Sequence, residues 1–399
     1  MNQTGLIEAQ RHLPATLSFL HSLVAINSFT TNPAGVRATA ECIAAQFAPM
    51  GFGAGYHPAS DPTHGPHLVQ RRFVGASAPS IALISHLDTV FTAEEEARFD
   101  FRYREEGSRI YGPGTNDIKG GTAMIWLTLQ LLRDLSPDLF EQTNWFVLHN
   151  ACEEVISTDF RALCLDNLPR DTRACLIFEA DGGDATDFSL VSSRKGRAVF
   201  RVSVEGRASH AGTQHREGVN AINHLARLVT ALEAETDYAA GVTVNVGAIS
   251  GGTVINRVPH EAHADLEMRA FDPEAFARTR ARILALQRDG DLPRVNVQVL
   301  DESRPWPRNG GTDSLFALWA QTAATLHYPL RAEDRGGLSD GNMLWDIWPT
   351  LDGLGPRGDN CHCSEHSADG TKQQEWVDAD SFVPKAVLNA TAIARLLQA

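Results

Sequence analysis

The feature that most constrains how this chain can fold is a recurrence of short, nearly apolar runs that each stop at polar or acidic residues. They span Ile81 to Ser85, Trp145 to Leu148 and Cys175 to Phe178. Runs of this length, apolar on both alternating faces, read as parallel strands buried between helical layers. In open α/β sheets ligands bind beyond the carboxyl ends of the strands, so acids placed just after such runs converge on one site. Two amphipathic helices precede the first run, one over residues 13 to 26 (Leu13, Leu17, Leu20, Val24) and one over 34 to 48 (Val36, Ala40, Ile43, Phe47). Pro14 is then placed in a first helical turn, and Thr30-Thr31-Asn32-Pro33 supplies a cap and a break.

The texture changes at Ser192-Ser193-Arg194-Lys195-Gly196. Alternation from Ala198 to Val204, helical spacing from Val219 to Leu232, strands at Val242 to Ile249 and Ala262 to Met268, a helix from Pro273 to Leu286 and a strand from Val295 to Leu300 give a β-α-β-β-α-β order. The Pro- and Gly-rich Arg304 to Gly311 segment marks the return. The expected fold class is therefore α/β. A mostly parallel sheet flanked by helices is expected from residues 1–193 plus 306–399, with an inserted α+β, ferredoxin-like domain at 194–305.

With 49 acidic and 35 basic side chains the formal charge is -14, the wrong sign for nucleic acid or an anionic membrane surface. No apolar run approaches the ~18 residues of a membrane span, and Met1 to Gln10 has no leader character. Six scattered cysteines read as reduced thiols, and a cytoplasmic protein is the expectation.

Against this background certain polar residues stand out by position. His86-Leu87-Asp88 closes the first buried run, whereas His263-Ala264-Asp265, the same triplet, alternates inside a strand. A histidine whose second nitrogen donates to a carboxylate is fixed in one tautomer and suited to bind metal. Glu153-Glu154 directly follows the second run. Two carboxylates about 4 Å apart repel by up to roughly 4 kcal/mol at an effective dielectric of 20, so such a pair needs a proton or a cation, and a cation is the simpler choice. Asp117 sits in the glycine-rich turn Gly112-Pro113-Gly114-Thr115-Asn116-Asp117-Ile118-Lys119-Gly120-Gly121, which opens a helix from Met124 to Leu132. Glu179 ends the third run, and His366 lies in the late loop Cys361-His362-Cys363-Ser364-Glu365-His366-Ser367.

Two rival readings use other residues. Gly337-Leu338-Ser339-Asp340-Gly341 matches the G-x-S-x-G elbow of a serine hydrolase, with Asp359 and His366 following in order, but Arg331 to Gly336 offers no buried strand before Ser339. Cys361, Cys363 and His366 resemble a zinc clip with three ligands where structural sites want four.

In chain order, His86-x-Asp88, Gly114-Thr115-Asn116-Asp117, Glu153-Glu154, Glu179 and His366-Ser367 form a set. That set resembles the co-catalytic zinc peptidase and aminoacylase family of glutamate carboxypeptidase, acetylornithine deacetylase, succinyl-diaminopimelate desuccinylase and the aminoacylases. The glutamate carboxypeptidase branch is nearest in look. The resemblance covers nearly the whole chain, because Gly206-Arg207-Ala208-Ser209-His210-Ala211-Gly212 and Gly218-Val219-Asn220-Ala221 look like that family's lid and dimerisation domain.

The resemblance implies two Zn2+ per chain, with Co2+ or Mn2+ as substitutes. His86 and Glu179 would hold one ion, Glu154 and His366 the other, and Asp117 would bridge them. Asp88 would orient His86, and Glu153 would act as general base. His210 would reach a partner's active site in a homodimer formed through the lid. Asn256 and Arg269 would meet a substrate carboxylate, with Arg257 as competitor for that role. Where relatives have Pro-Thr or similar, this chain reads Ala180-Asp181, which leaves Asp181 as an alternative to Glu179. The implied activity is hydrolysis of an amide bond next to a free carboxylate in a small peptide-like or N-acyl amino acid substrate. A non-catalytic carboxylate-binding relative is the other class, and the intact Glu153 and Asp117 argue against it.

Overall fold

The computed structural model describes residues 2–155, 157, 159–183 and 187–399. Strands β1 (Gly53–His57), β2 (His67–Arg72), β3 (Ser80–His86), β4 (Asn144–Asn150) and β5 (Ala174–Ile177), with the short strand Thr350–Leu351, form a six-stranded sheet in the order β1-β2-β4-β3-β5-Thr350–Leu351. The β4-β3, β3-β5 and β5-Thr350–Leu351 pairs are parallel, and β1 and β2 add on antiparallel. Every residue of β3, β4 and β5 is buried. Their alternate side chains enter two different cores. Ile81, Leu83, Trp145, Val147 and Leu176 pack with the helices Asn2–Val24, Gly120–Leu135 and Ala379–Gln398, while Ala82, Ile84, Phe146, Leu148 and Ile177 pack with Phe160, Cys164 and Trp348. The continuous apolar runs follow from this, since neither sheet face meets water.

The parallel register pairs His86 with Asn150 and Ile84 with Ile177, so β3 and β4 end together, β5 ends two residues short of them, and the residues after all three share one edge. Two helix starts differ from expectation. The first helix begins at Asn2 rather than 13, which leaves Pro14 in its interior. Its apolar stripe extends upstream through Leu6 and Ala9, and that packing outweighs the backbone bond proline removes. The helix after Asp117 begins at Gly120, and Gly121 is required there because a Cβ would lie 1.9 Å from the Phe178 carbonyl oxygen. The second helix, Pro33–Phe47, is capped by Asn32, whose side chain accepts the Gly35 amide.

The chain forms two compact units, residues 1–192, 308–333 and 339–399 in one, and 193–307 with 334–338 in the other. In the second unit, strands β6 (Gly196–Glu205), β7 (Thr243–Gly251), β8 (Glu261–Ala270) and β9 (Arg294–Ser303) form an antiparallel sheet ordered β7-β8-β6-β9, with helices Ala221–Glu233 and Pro273–Leu284 between strands. This is the split βαβ arrangement. Strand β6 alternates buried and part-exposed residues, as a sheet with one solvated face demands. All six cysteines are free thiols, and among the described residues no helix is long and apolar enough to cross a membrane.

Candidate metal centre

The strand ends of the first unit gather a cluster of carboxylates and imidazoles. His86 terminates β3, and its side chain is fully buried. Its Nδ1 faces two acceptors, the Asp88 carbonyl oxygen at 3.0 Å and Asp88 Oδ1 at 3.4 Å, which places a proton on Nδ1 and turns Nε2 toward the cluster. Nε2 lies 3.0 Å from Asp117 Oδ1 and 4.0 Å from Glu179 Oε1. Asp88 is shared between two tasks. Besides meeting His86, its Oδ1 accepts the Glu153 amide at 3.1 Å, and its Oδ2 accepts the Glu154 amide at 3.3 Å and the Thr30 hydroxyl at 2.7 Å. One carboxylate therefore fixes both the histidine after β3 and the glutamate turn after β4.

Asp117 stands in the middle. Its Oδ2 lies 3.3 Å from Nε2 of His362, and the same nitrogen is 3.1 Å from Glu154 Oε2. His86 and Glu179 thus occupy one side of Asp117, His362 and Glu154 the other.

This corrects the assignment of His366. His366 is exposed and, among the described residues, makes no hydrogen bond or ion pair with the cluster. The sequence offers two histidines four residues apart in one loop, and nothing in their spacing ranks them. The backbone does: Asn360 and His362 adopt left-handed φ angles of 62° and 64°, and Cys363 closes a turn onto Asn360. That winding brings His362 to Asp117 and Glu154. It also dissolves the zinc clip, since the Cys361 thiol instead accepts the Asn116 side-chain amide at 3.0 Å.

Burial and charge act in opposition across the cluster. Burial lifts Glu153 well above the usual carboxylate range; His86 draws it partly back, and Glu179, Asp340 and Glu154 add to the rise. Burial, with Asp117 beside it, pushes Glu154 up to about 7. Burial alone would raise Asp117, but hydrogen bonds from His362 and His86 hold it well below its ordinary value. His362 is pushed up to about 11 by its bonds to Asp117 and Glu154. Burial works against a charged His86, and the Asp117 and Asp88 bonds outweigh it and hold it well above the ordinary value. Four carboxylates (Asp117, Glu153, Glu154, Glu179) crowded beside two imidazoles form a site whose charge a cation would balance.

The donor set suits such ions. His86, Asp117 and Glu154 offer nitrogen and oxygen atoms all within 4.8 Å of one another, and Glu154 Oε1 is buried with no hydrogen-bond partner among the described residues. Imidazole and carboxylate together favour zinc-like ions.

The other candidate residues resolve differently. Asp181, the alternative to Glu179, forms a fully buried ion pair with Lys385 at 2.5 Å and accepts the Ser189 amide at 2.8 Å, while Glu179 faces His86. Ser339 caps the short helix Asp340–Met343, its hydroxyl donating to Asp352 Oδ2 at 2.8 Å and accepting the Gly341 amide at 3.2 Å. No histidine bonds it among the described residues, so the serine-hydrolase alternative has no base. A strand does precede it, Leu330–Arg335, where the charged sequence suggested none, but that strand is only partly buried.

In the second unit, His210 Nδ1 accepts the Gly212 and Thr213 amides at 3.1 and 3.2 Å. Asn256 lies beside it, its carbonyl accepting the Ala211 amide at 3.0 Å, and Arg257 pairs with His210 across an isolated bridge. Arg269 is set apart, its guanidinium engaged by Glu267 at 2.9 and 3.2 Å and by the Gly336 carbonyl at 2.9 Å.

The chain is similar to several known proteins. Residues 192–291 match the peptidase dimerisation domain of the M20 family. Carboxypeptidase G2 of Pseudomonas sp. strain RS-16 is 27% identical over 386 residues, covering 95% of this chain and 88% of that protein. Acetylornithine deacetylase of Klebsiella pneumoniae is 26% identical over 275 residues, 64% of this chain and 68% of that one. The crystal structure of an M20 family metallo-carboxypeptidase from Sulfolobus solfataricus superposes with a TM-score of 0.72 at 15% identity, over 96% of this chain and 99% of that one, and so shares the fold.

Proposed function

We propose that this chain, which is similar to M20 peptidases and deacylases over nearly its whole length, is a dinuclear zinc hydrolase. Its reaction is cleavage of an amide bond next to a free carboxylate, in a small peptide-like or N-acyl amino acid substrate. The observation that carries the reading is the two-sided arrangement about Asp117, with His86 and Glu179 on one side and His362 and Glu154 on the other. The relatives' names support the substrate class, one being a carboxypeptidase and another a deacetylase of an N-acyl amino acid.

In this reading His86 and Glu179 would hold one ion and Glu154 and His362 the other, with Asp117 placed to serve both. A divalent pair, when bound, supplies Lewis acidity toward water and the scissile carbonyl. Asp88 keeps the proton on His86 Nδ1 and holds the amides of Glu153 and Glu154, so its role is positioning. Glu153 has a carboxylate left over from ligation and a raised proton affinity, so it takes a proton from the attacking water and delivers it to the leaving nitrogen. The second unit serves as lid and dimerisation domain. His210, with Nδ1 occupied by backbone amides, presents an Nε2–H donor suited to an oxyanion in a partner's active site. Asn256, beside His210, and Arg257 suit a substrate carboxylate better than Arg269, whose fork Glu267 already fills.

The test is Glu153→Gln. Elemental analysis should still find two zinc ions per chain in this reading, while turnover of N-acyl amino acids and dipeptides falls by roughly 10²–10⁴-fold. Wild-type protein that binds no divalent metal, or a variant that keeps its turnover, would overturn the assignment.

A further inference from the structure

Glu375 lies just before the strand Trp376–Asp378 and is wholly buried, yet nothing in the proposed reaction uses it. Its Oε1 accepts two consecutive backbone amides, Asn116 N at 2.7 Å and Asp117 N at 3.0 Å. Its Oε2 is buried with no hydrogen-bond partner among the described residues. Its backbone reaches elsewhere: the Glu375 amide donates to the Cys363 carbonyl at 2.8 Å, and the Glu375 carbonyl accepts the Gly112 amide at 3.3 Å. One residue is therefore bonded through its side chain to the loop of Asp117 and through its main chain to the loop of His362. A second tie runs parallel to it, from the Asn116 side chain to the thiol of Cys361, the neighbour of His362.

We propose that Glu375 is a positioning residue that holds the bridging Asp117 and the far-side His362 in register, by clamping both metal-bearing loops from behind. The inference rests on the dinuclear reading above. The physical reason is reach. Consecutive amides that both point at one oxygen fix the direction of the peptide planes, and with them the carboxylate that the second residue projects. An aspartate at 375 keeps the charge but falls short by about one carbon–carbon bond, ~1.5 Å. A glutamine keeps the length and a carbonyl oxygen able to accept both amides, and gives up the charge.

The experiment is a cobalt titration of the metal-free full-length protein as wild type, Glu375→Gln and Glu375→Asp, followed by visible absorption, with thermal midpoints of the metal-free forms as the folding control. Glu375→Gln should take up two Co2+ per chain with the wild-type spectrum. Glu375→Asp should fold, yet bind at least about tenfold more weakly with an altered spectrum, the scale typical of residues that orient ligands. The proposal is overturned if the aspartate variant binds as wild type does, if the glutamine variant weakens along with it, or if the aspartate variant fails to fold before metal is added, which would make the role structural. Wild-type protein that takes up no cobalt would instead bring down the dinuclear reading, and this inference with it.

Discussion

At the scale of single residues, the centre turns on which nitrogen faces which oxygen. His362 and His366 are the sharpest case. His362→Ala should lose one of two metal ions per chain and at least 10²-fold in turnover, while His366→Ala should change neither, measured by elemental analysis and steady-state rates. Loss of metal and turnover in His366→Ala, with His362→Ala unaffected, would return the ligand role to His366. Most of the residues that the structure brings together were marked by position alone, because His86 ends a buried strand, Glu153, Glu154 and Glu179 follow one, and Asp117 precedes a helix. His362 was not, since it follows no strand and its loop carries a second histidine of equal chemical merit. Glu375 was equally hidden, as one acid before a short strand has no periodicity to mark it.

At the scale of elements, the strand ends and the last helix are tied by buried charge. Lys385, inside the helix Ala379–Gln398, meets Asp181 just beyond β5, and both side chains are fully buried. Lys385→Met strands that carboxylate and should cost about 3–5 kcal/mol in urea unfolding, because the desolvated charge loses its partner. Strand β4 carries a different liability. His149 is wholly buried, neither ring nitrogen has a hydrogen-bond partner among the described residues, and burial, reinforced by the charge of His86, pushes it down to about 3. A histidine depressed in the folded state is neutral there while the unfolded chain protonates near 6.5, so its stability contribution is complete above that pH and is lost on the way down toward 3. Each pH unit in that window is worth about 1.4 kcal/mol. His149→Leu should therefore raise the thermal midpoint, and raise it more at pH 5 than at pH 8, by about 2 kcal/mol of stability. An equal gain at both pH values would show that His149 does not titrate in this window.

At the scale of the whole molecule, the second unit ends its sheet on β7, an edge strand that exposes Ile249, and its helix Ala221–Glu233 exposes Ile222. An unpaired edge beside exposed aliphatic side chains invites pairing with a second copy. Sedimentation at micromolar concentration should find dimers of the wild type and monomers of Ile249→Asp. If His210 acts across that interface, the monomer should keep its metal and lose its turnover, a split that loss of folding does not produce. Wild-type monomers with full activity would remove His210 from the reaction.

The amino-acid sequence by itself determined the layers of this protein and the kind of chemistry it carries. Apolar runs bounded by acids can be buried only as strands between helices, and acids left at their ends must share an edge. That much is set by local periodicity and by the cost of burying charge. Only the tertiary structure decided which histidine reaches Asp117 and Glu154, that Asp181 belongs to Lys385, and that Glu375 ties two loops together. Those choices depend on residues between 204 and 259 positions apart in the chain being carried within hydrogen-bond reach, as from Asp117 to His362, Asp181 to Lys385 and Asn116 to Glu375. Loop winding and helix docking set such distances, and no local pattern encodes them.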